Sequence, residues 1–214
     1  MPKSLTRTVL GRVSKEFLGP LLMTHGFTRK APHFFRPSAD LFHCVHLQAS
    51  QWGGASSGQF TINLGATSAS LYGHWTSRPL PSNPATAIWP IQQRIGLLSP
   101  SRRDLWWTVD ANTETVSLGQ QVVQFVSEFG LPFFDAFPDS EAILHAIRAN
   151  RSVPGITDPQ RPLLEAMLLV DRGEKDGAKD CILRALSKTK ITGFKETILL
   201  IASRLGLKID SVAV

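Results

Sequence analysis

The chain has 214 residues, of which 43% are hydrophobic and 19% are charged, with 14 prolines and 16 glycines. This composition is typical of a globular protein and excludes disordered, collagenous and coiled-coil chains. The sequence contains no run of about 18 apolar residues, so we expect no membrane-spanning segment.

The net charge of +6 is distributed unevenly along the chain. Residues 1–103 hold 11 Lys and Arg against 2 Asp and Glu, whereas residues 104–150 hold 1 against 7. We expect the acidic segment to fold against the basic one and to neutralise part of its charge. Basic surface that stays uncovered would attract phosphate or an acidic partner.

The N-terminal segment begins with a helical pattern, since apolar residues recur every four positions from Leu5 to Leu21. Ser4 is suited to cap this helix. Pro20 lacks the amide hydrogen that a continuous helix needs, so the helix is expected to kink or restart there.

Strand patterns follow the first helix. We predict strands at 27–30, 33–36, 41–50 and 59–66, and in the last of these apolar and polar residues alternate. Alternation of this kind indicates an antiparallel sheet with one buried and one exposed face. A further strand is predicted at 67–75, and a pair of strands at 91–98 and 104–110 around a turn at 99–101.

The second half of the chain is mostly helical by pattern. A helix is predicted from residue 112 or 113 to about Phe129, ended by Gly130, and a shorter one starts at Ser140. Three more helical stripes follow from Asp158. The predicted fold class is therefore α+β: an antiparallel sheet of about five or six strands packed with helices, followed by a C-terminal three-helix appendage. The predicted division is an α+β domain at 1–150, a linker at 151–157 and the helical appendage at 158–214.

Polar and aromatic residues of the predicted sheet form the first candidate binding site. If strands 41–50 and 59–66 pair, their polar residues share one face, with a tryptophan of the connecting loop at its rim. One tryptophan of the 106–107 pair must lie on the second face, because neighbouring residues of a strand point to opposite sides. The candidate partner-binding residues are Gln48, Ser50, Trp52, Thr61, Asn63 and Trp106.

Basic residues of the first half form a second candidate site. Phosphate contacts would come from arginine and lysine side chains, with Trp52 stacking on a base. The candidate phosphate-binding residues are Arg29, Lys30, Arg36, Arg102 and Arg103.

Catalytic and metal-binding patterns are weak in this sequence. His43 and His46 lie three residues apart on a predicted strand, so they project to opposite faces and do not converge on one ion. Cys44 and His46 share a face, yet a buried cysteine is usually an inert packing residue. We predict no catalytic residue, no metal site and no cofactor, and Cys44 and Cys181 are expected to be unpaired. Two lone cysteines and the lack of a signal-peptide pattern predict a cytoplasmic location.

Several short motifs resemble one known family in order along the chain. They are LGPLL at 18–22, HGFTRK at 25–30, FFRP at 34–37, QASQW at 48–52, FTINLG at 60–65, RIG at 94–96 and DLWW at 104–107. The sequence resembles, over roughly residues 5–145, the mainly bacterial family of domain of unknown function 4304. The resemblance implies one α+β unit in this region and implies no activity.

These observations favour a non-enzymatic bacterial protein-binding module, with a toxin-neutralising (immunity-like) or defence-associated role. A basic protein is poorly suited to block the cationic groove of a nuclease, so the expected protein partner is an acidic one. The first alternative is a nucleic-acid-binding protein that uses the basic first half. The second alternative is an unrecognised enzyme.

Overall fold

The structure is a computed structural model that describes residues 4–87 and 90–209. Its fold is α+β, as predicted. The strands are β1 (Thr28–Lys30), β2 (His33–Ser38), β3 (Leu41–Ala49), β4 (Gly58–Thr67), β5 (Ile91–Arg94) and β6 (Trp107–Val109). The α-helices are α1 (Leu5–Arg12), α2 (Gly19–Thr24), α3 (Ala69–Thr76), α4 (Thr115–Phe125), α5 (Leu131–Ala136), α6 (Ser140–Arg148), α7 (Arg161–Asp171), α8 (Lys175–Lys188) and α9 (Thr192–Arg204).

The strands form an antiparallel sheet in the order β1-β2-β3-β4-β5, and β6 pairs with another stretch of β4. The predicted pairing of 91–98 with 104–110 is wrong, because both segments pair with β4 instead of each other. A 3₁₀ turn, Ile95–Leu98, ends β5 early. At Gly96 the returning chain passes so closely that an added Cβ would lie 2.4 Å from the carbonyl oxygen of Arg103.

The predicted strand at 67–75 is also wrong, because α3 occupies most of this segment. Ser68 has extended backbone angles, and its side chain accepts a hydrogen bond from the backbone N–H of Leu71. This cap begins a helix directly after β4. The apolar and aromatic composition of the segment suits either structure, and the cap decides between them.

A π-helical turn precedes a proline in each of two long helical stretches. Val13–Leu18 forms such a turn between α1 and α2, and Pro20 follows it. The start of α2 at Gly19, next to Pro20, agrees with the predicted kink or restart of the helix at this proline. The same arrangement joins α4 to α5, where the π turn Val126–Gly130 precedes Pro132, so the predicted helix end at Gly130 is wrong. A wider turn accommodates a proline that would otherwise clash with the carbonyl four residues earlier.

The main hydrophobic core lies on one face of the sheet. Phe34, Val45, Ile62 and Leu64 have no exposed surface and belong to a cluster that also contains buried residues of α1 and α4. The opposite face is called the open face below. It carries a separate, smaller cluster in which Cys44 packs against the segment at 84–87.

The three predicted C-terminal helices are confirmed as α7, α8 and α9. Their buried residues join the main hydrophobic cluster, and Arg204 of α9 donates hydrogen bonds to carbonyl oxygens at the end of α3. The predicted linker at 151–157 contains the buried Val153. At Gly155, φ is 78° and an added Cβ would lie 1.7 Å from the carbonyl oxygen of Gln92. This segment is packed against β5, while the division into 1–150 and 158–214 stays a prediction.

None of the described helices combines the length and the apolar composition that a bilayer crossing requires.

Candidate functional site

The register of β3 and β4 assembles a polar surface on the open face. His46 lies opposite Asn63, and Gln48 lies opposite Thr61. Residues directly opposite one another in an antiparallel pair project to the same side of the sheet. The side chains of Gln48, Thr61 and Asn63 therefore share a face, as the sequence predicts.

A groove of about 630 Å³ lies over this surface, and we call it the carboxamide groove. Its polar lining comes largely from Asn and Gln residues of three neighbouring strands, while Ala85 and Ala87 contribute an apolar wall. The lining residues are His46, Gln48, Asn63, Ala85, Thr86, Ala87, Gln92, Gln93, Arg94, Leu97 and Asp104. Carboxamides both donate and accept hydrogen bonds, so such a lining matches peptide groups and polar side chains of a partner.

Hydrogen bonds fix the floor of the carboxamide groove. Asn63 Nδ2 donates to Gln48 Oε1 over 2.8 Å and lies 3.4 Å from His46 Nδ1. His33 stacks on His46 with ring centroids 4.3 Å apart, and its Nδ1 accepts from the backbone N–H of Leu47. Burial, with a smaller contribution from His46, lowers the pKa of His33 to about 4, and burial also lowers the pKa of His46. Both imidazoles are therefore neutral near pH 7.

Arg94 and Asp104 form an ion pair on the wall of the groove. The Trp106 indole N–H donates to Asp104 Oδ2 over 3.1 Å, and the Arg94 guanidinium lies 5.0 Å from the Trp106 ring centroid. Trp106 is half-buried and supports this ion pair. Trp107 is buried and stacks on Phe60 at 5.4 Å, which confirms that the two tryptophans occupy opposite faces.

Thr61 requires a correction. Its side chain has no exposed surface, and its hydroxyl donates to the carbonyl oxygen of Leu105 over 2.8 Å. The chain entering β6 covers it, so Thr61 joins two segments of the fold and presents no accessible surface on the open face. Ser50 is half-buried, and its hydroxyl accepts from the backbone N–H of Trp52.

Trp52 is the most exposed large hydrophobic residue described, with 88% of its surface accessible. Its loop is nevertheless held at several points. The backbone N–H of Ser50 donates to Gln59 O over 2.7 Å, and that of Leu5 donates to Ala55 O over 3.0 Å. The loop therefore presents an exposed indole from an anchored backbone, next to the end of β3 that supplies Gln48.

Arg36 also requires a correction as a phosphate-binding candidate. Its Nε donates to His43 Nδ1 over 3.2 Å, and its Nη1 donates to His25 O over 2.9 Å. The guanidinium lies over the Phe27 ring and 3.9 Å from Asp135. These contacts commit Arg36 to the fold.

The other phosphate-binding candidates do not form one patch. Arg29 is half-buried and its Nε donates to Ser14 Oγ over 3.1 Å, while Lys30 is exposed on the same short strand. Arg102 and Arg103 are exposed in the segment before β6. The strand order places these two pairs at opposite ends of the sheet, about 15–20 Å apart at the usual strand spacing.

A family model described as Domain of unknown function (DUF4304) matches residues 18–136. The chain belongs to the DUF4304 family. No curated protein and no solved structure matches the chain. The DUF4304 region contains the sheet, the carboxamide groove and Trp52, while α6 to α9 lie beyond it.

The DUF4304 region also contains a buried histidine that the sequence analysis did not connect to a partner. His43 faces the core, opposite in direction to His46 as predicted, and has no exposed surface. Because Arg36 donates to its Nδ1, its Nε2 carries the proton and donates to Phe137 O over 2.8 Å. Burial lowers the pKa of His43 to about 4 against the effect of the Phe137 hydrogen bond. The structural role of His43, which links β2 to the end of α5, is visible only from the strand register and from a contact nearly a hundred residues away.

Two groups with nucleophilic side chains have geometries that do not suit catalysis. Cys44 has no exposed surface, and burial raises the pKa of its thiol.

Ser70, His74 and Asp171 come together between α3 and α7, a cluster that the sequence analysis missed. Both Ser70 Oγ and Asp171 Oδ1 lie near the same ring nitrogen, His74 Nε2, at 3.1 and 2.8 Å. A Ser-His-Asp relay needs its two partners on different nitrogens, so this cluster joins the two helices instead.

Within residues 4–87 and 90–209, no three His, Cys, Asp or Glu side chains are placed to hold a metal ion. Cys44 and Cys181 are both buried free thiols.

Proposed function

We propose that this DUF4304 protein is a non-enzymatic protein-binding module of the bacterial cytoplasm. Its contact surface consists of Trp52 and the carboxamide groove on the open face of the sheet. Its partner is a protein with an acidic surface, and a toxin-neutralising or defence-associated role suits a small module of this kind.

The observation that carries this proposal is the exposure of Trp52 on an anchored loop. An exposed indole gains a large hydrophobic contact when a partner covers it. A fixed backbone reduces the entropy lost on binding, and tryptophan is enriched among residues that dominate binding energies.

The carboxamide groove supplies specificity beside this anchor. Its floor is held by hydrogen bonds between Asn63, Gln48 and His46, so its donors and acceptors have defined positions before a partner arrives. A partner that mismatched these groups would leave buried polar atoms unsatisfied, which disfavours the wrong protein.

The charge distribution supports an acidic partner. Among the basic residues of the first half, Arg36 and Arg94 pair with acidic residues of the middle segment. In the described part of the chain, Arg7, Arg29 and Lys30 have no such pair. The expected neutralisation is therefore incomplete, and the remaining positive charge favours approach of an acidic protein.

The test compares three forms of the protein as bait in a lysate of its source cells. Met23 lies on α2, and its side chain is 62% exposed, so Met23→Ala serves as the matched control. Wild type and Met23→Ala should retain the same partner. Trp52→Ala should retain at least tenfold less of it. The purified partner should then show the same tenfold difference in Kd, and its association rate should fall as the salt concentration rises from 50 to 200 mM.

A parallel titration with single- and double-stranded DNA and RNA tests the first alternative. Four alanines at Arg29, Lys30, Arg102 and Arg103 are the suitable variant, because the Arg36 guanidinium is already engaged in contacts within the fold. Submicromolar binding at physiological salt, lost in this variant, would replace the proposal with a nucleic-acid-binding function. Absence of any protein whose retention depends on Trp52 would also reject it.

A further inference from the structure

A second cavity, of about 600 Å³, lies where β3 extends past the end of β2, and we call it the β3-edge notch. Its walls are α1 and the turn between β1 and β2. Its lining residues are Arg7, Leu10, Gly11, Arg29, Ala31, Pro32, His33, His46, Leu47, Gln48 and Ala49. The notch shares His46 and Gln48 with the carboxamide groove.

The floor of the notch is an open strand edge. β2 pairs with β3 from Leu41 to Val45, and β2 begins at His33, so β3 continues beyond its neighbour. The backbone N–H of Leu47 points to this side, where it donates to His33 Nδ1, while that of Ser50 points to β4. Since N–H and C=O directions alternate along a strand, the backbone groups of Ala49 also face the notch.

The notch also has a definite charge. Arg7 on α1 is exposed, and no carboxylate of the described residues forms an ion pair with its guanidinium. Arg29 uses its Nε for Ser14, and its two terminal amino groups have no acceptor in the same part of the chain. No Asp or Glu lines the notch, and its two histidines are neutral near pH 7.

The two arginines lie on one side of the open edge. Arg29 is opposite Phe34 in the β1–β2 pair, so its side chain points to the core face, where α1 carries Arg7. A strand added at the edge would present every second side chain to this side. Carboxylates at alternate positions would therefore meet the two guanidinium groups.

The geometry points to the β3-edge notch as a binding site for an extended acidic segment of the partner protein. This segment donates to the carbonyl oxygens of Leu47 and Ala49, accepts from the Ala49 N–H, and places alternate carboxylates against Arg7 and Arg29. This inference rests on the proposed function and names the chemistry of the bound segment. Strand addition supplies affinity through main-chain hydrogen bonds, and the arginines supply selectivity for acidic side chains.

The test uses a fluorescein-labelled peptide with the repeat Val-Glu-Val-Glu-Val, flanked by glycines, and measures fluorescence anisotropy. Wild type should bind it, and a matched peptide with Lys in place of Glu should bind at least tenfold more weakly. An N-methylated Val-Glu peptide, which keeps the charges and loses backbone donors, should also bind at least tenfold more weakly. The double variant Arg7→Ala/Arg29→Ala should lose about tenfold or more in affinity, whereas Arg102→Ala/Arg103→Ala should bind as wild type does.

Ala49→Pro tests the strand edge in the protein itself. It removes a backbone N–H that faces the notch, and proline is tolerated at such edge positions, so binding should fall at least tenfold while the circular dichroism spectrum stays unchanged. If this variant does not fold, the N-methylated peptide decides the point.

Three results would overturn the inference: no binding of the Val-Glu peptide, equal binding of the Lys peptide, or equal binding of the N-methylated peptide. Tighter binding of a single-stranded oligonucleotide, lost in the Arg7→Ala/Arg29→Ala variant, would assign the notch to phosphate instead. Trp52→Ala leaves peptide binding unchanged if the inference is right. If the peptide does not bind but the partner is still retained in a Trp52-dependent way, this inference is rejected and the proposed function stands.

Discussion

On the core face of β3 and β4, Val45, Ile62 and Leu64 have no exposed surface and pack into the main hydrophobic cluster. On the open face of the same strands, Gln48 and Asn63 are half-buried and hydrogen-bond to each other over 2.8 Å. The first face is held by apolar area and close packing, which a smaller side chain disrupts at once. The second face is held by hydrogen bonds between partly solvated side chains. Its residues can therefore be substituted to change binding at little cost in the free energy of unfolding.

The largest expected difference is between adjacent residues of β4. Leu64→Ala should lower the free energy of unfolding by about 3 kcal/mol, because it opens a cavity in a fully buried site. Urea unfolding followed by tryptophan fluorescence measures this value. Equal losses from Leu64→Ala and Asn63→Ala would contradict the contrast between the two faces.

The pH dependence of stability tests the buried histidine of the core face. The pKa of His43 is about 4 in the folded protein, below the ordinary 6.5, because the ring is buried. The unfolded chain therefore binds more protons between these values, and stability is fully present above about pH 6.5 and lost as the pH falls towards 4. This single group should contribute about 3 kcal/mol of that loss.

Urea unfolding at pH 7 and pH 4.5 measures the effect of His43. His43→Gln should unfold more easily at pH 7 and should show a smaller difference between the two pH values. His33 has a similarly lowered pKa, so part of the pH dependence should persist in this variant. An unchanged pH dependence in His43→Gln would show that the core histidine is not responsible.

A smaller effect is expected on the open face. Asn63→Ala removes the donor to Gln48 in a partly solvated site, so it should cost about 1 kcal/mol. Asn63→Asp tests the polarity of the network, because a carboxylate cannot donate to Gln48 Oε1. Urea unfolding should give a lower free energy of unfolding for Asn63→Asp than for Asn63→Ala. The reverse order would mean that this hydrogen bond is unimportant for stability.

The smallest effect on stability should come from Trp52→Ala. The side chain is 88% exposed, so its removal should change the free energy of unfolding by less than about 0.5 kcal/mol. Thermal unfolding of this variant beside Met23→Ala provides the measurement. A loss above about 1 kcal/mol would mean that Trp52 packs on the fold and is not free for a partner.

Local sequence patterns predicted the two faces of the hairpin. Alternation at 59–66 placed Ile62 and Leu64 on one side and Asn63 on the other, and the structure agrees. The pattern did not show that the chain entering β6 covers Thr61, because a polar residue satisfied by a distant carbonyl looks like an exposed one in the sequence.

Long-range contacts explain the other differences. Arg36 looks like a free cation in the sequence, but its partners include the carbonyl of His25 and, a hundred residues away, Asp135. The β3-edge notch was not foreseen either, because it depends on how far β3 extends past β2. Strand length is readable from a sequence, whereas the offset between neighbouring strands is set by their turn and by tertiary packing.

The π turns at Val13–Leu18 and Val126–Gly130 determine how the helices that follow them are rotated about their axes. Each turn is equivalent to one residue inserted into an α-helix, and one residue corresponds to a rotation of about 100°. The inserted residue sets which side of α2 and α5 faces the sheet, and so directs Leu22 and Phe134 into the core. Deleting one residue from either turn would rotate the downstream helix and expose these side chains, although Leu22 and Phe134 themselves would be unchanged.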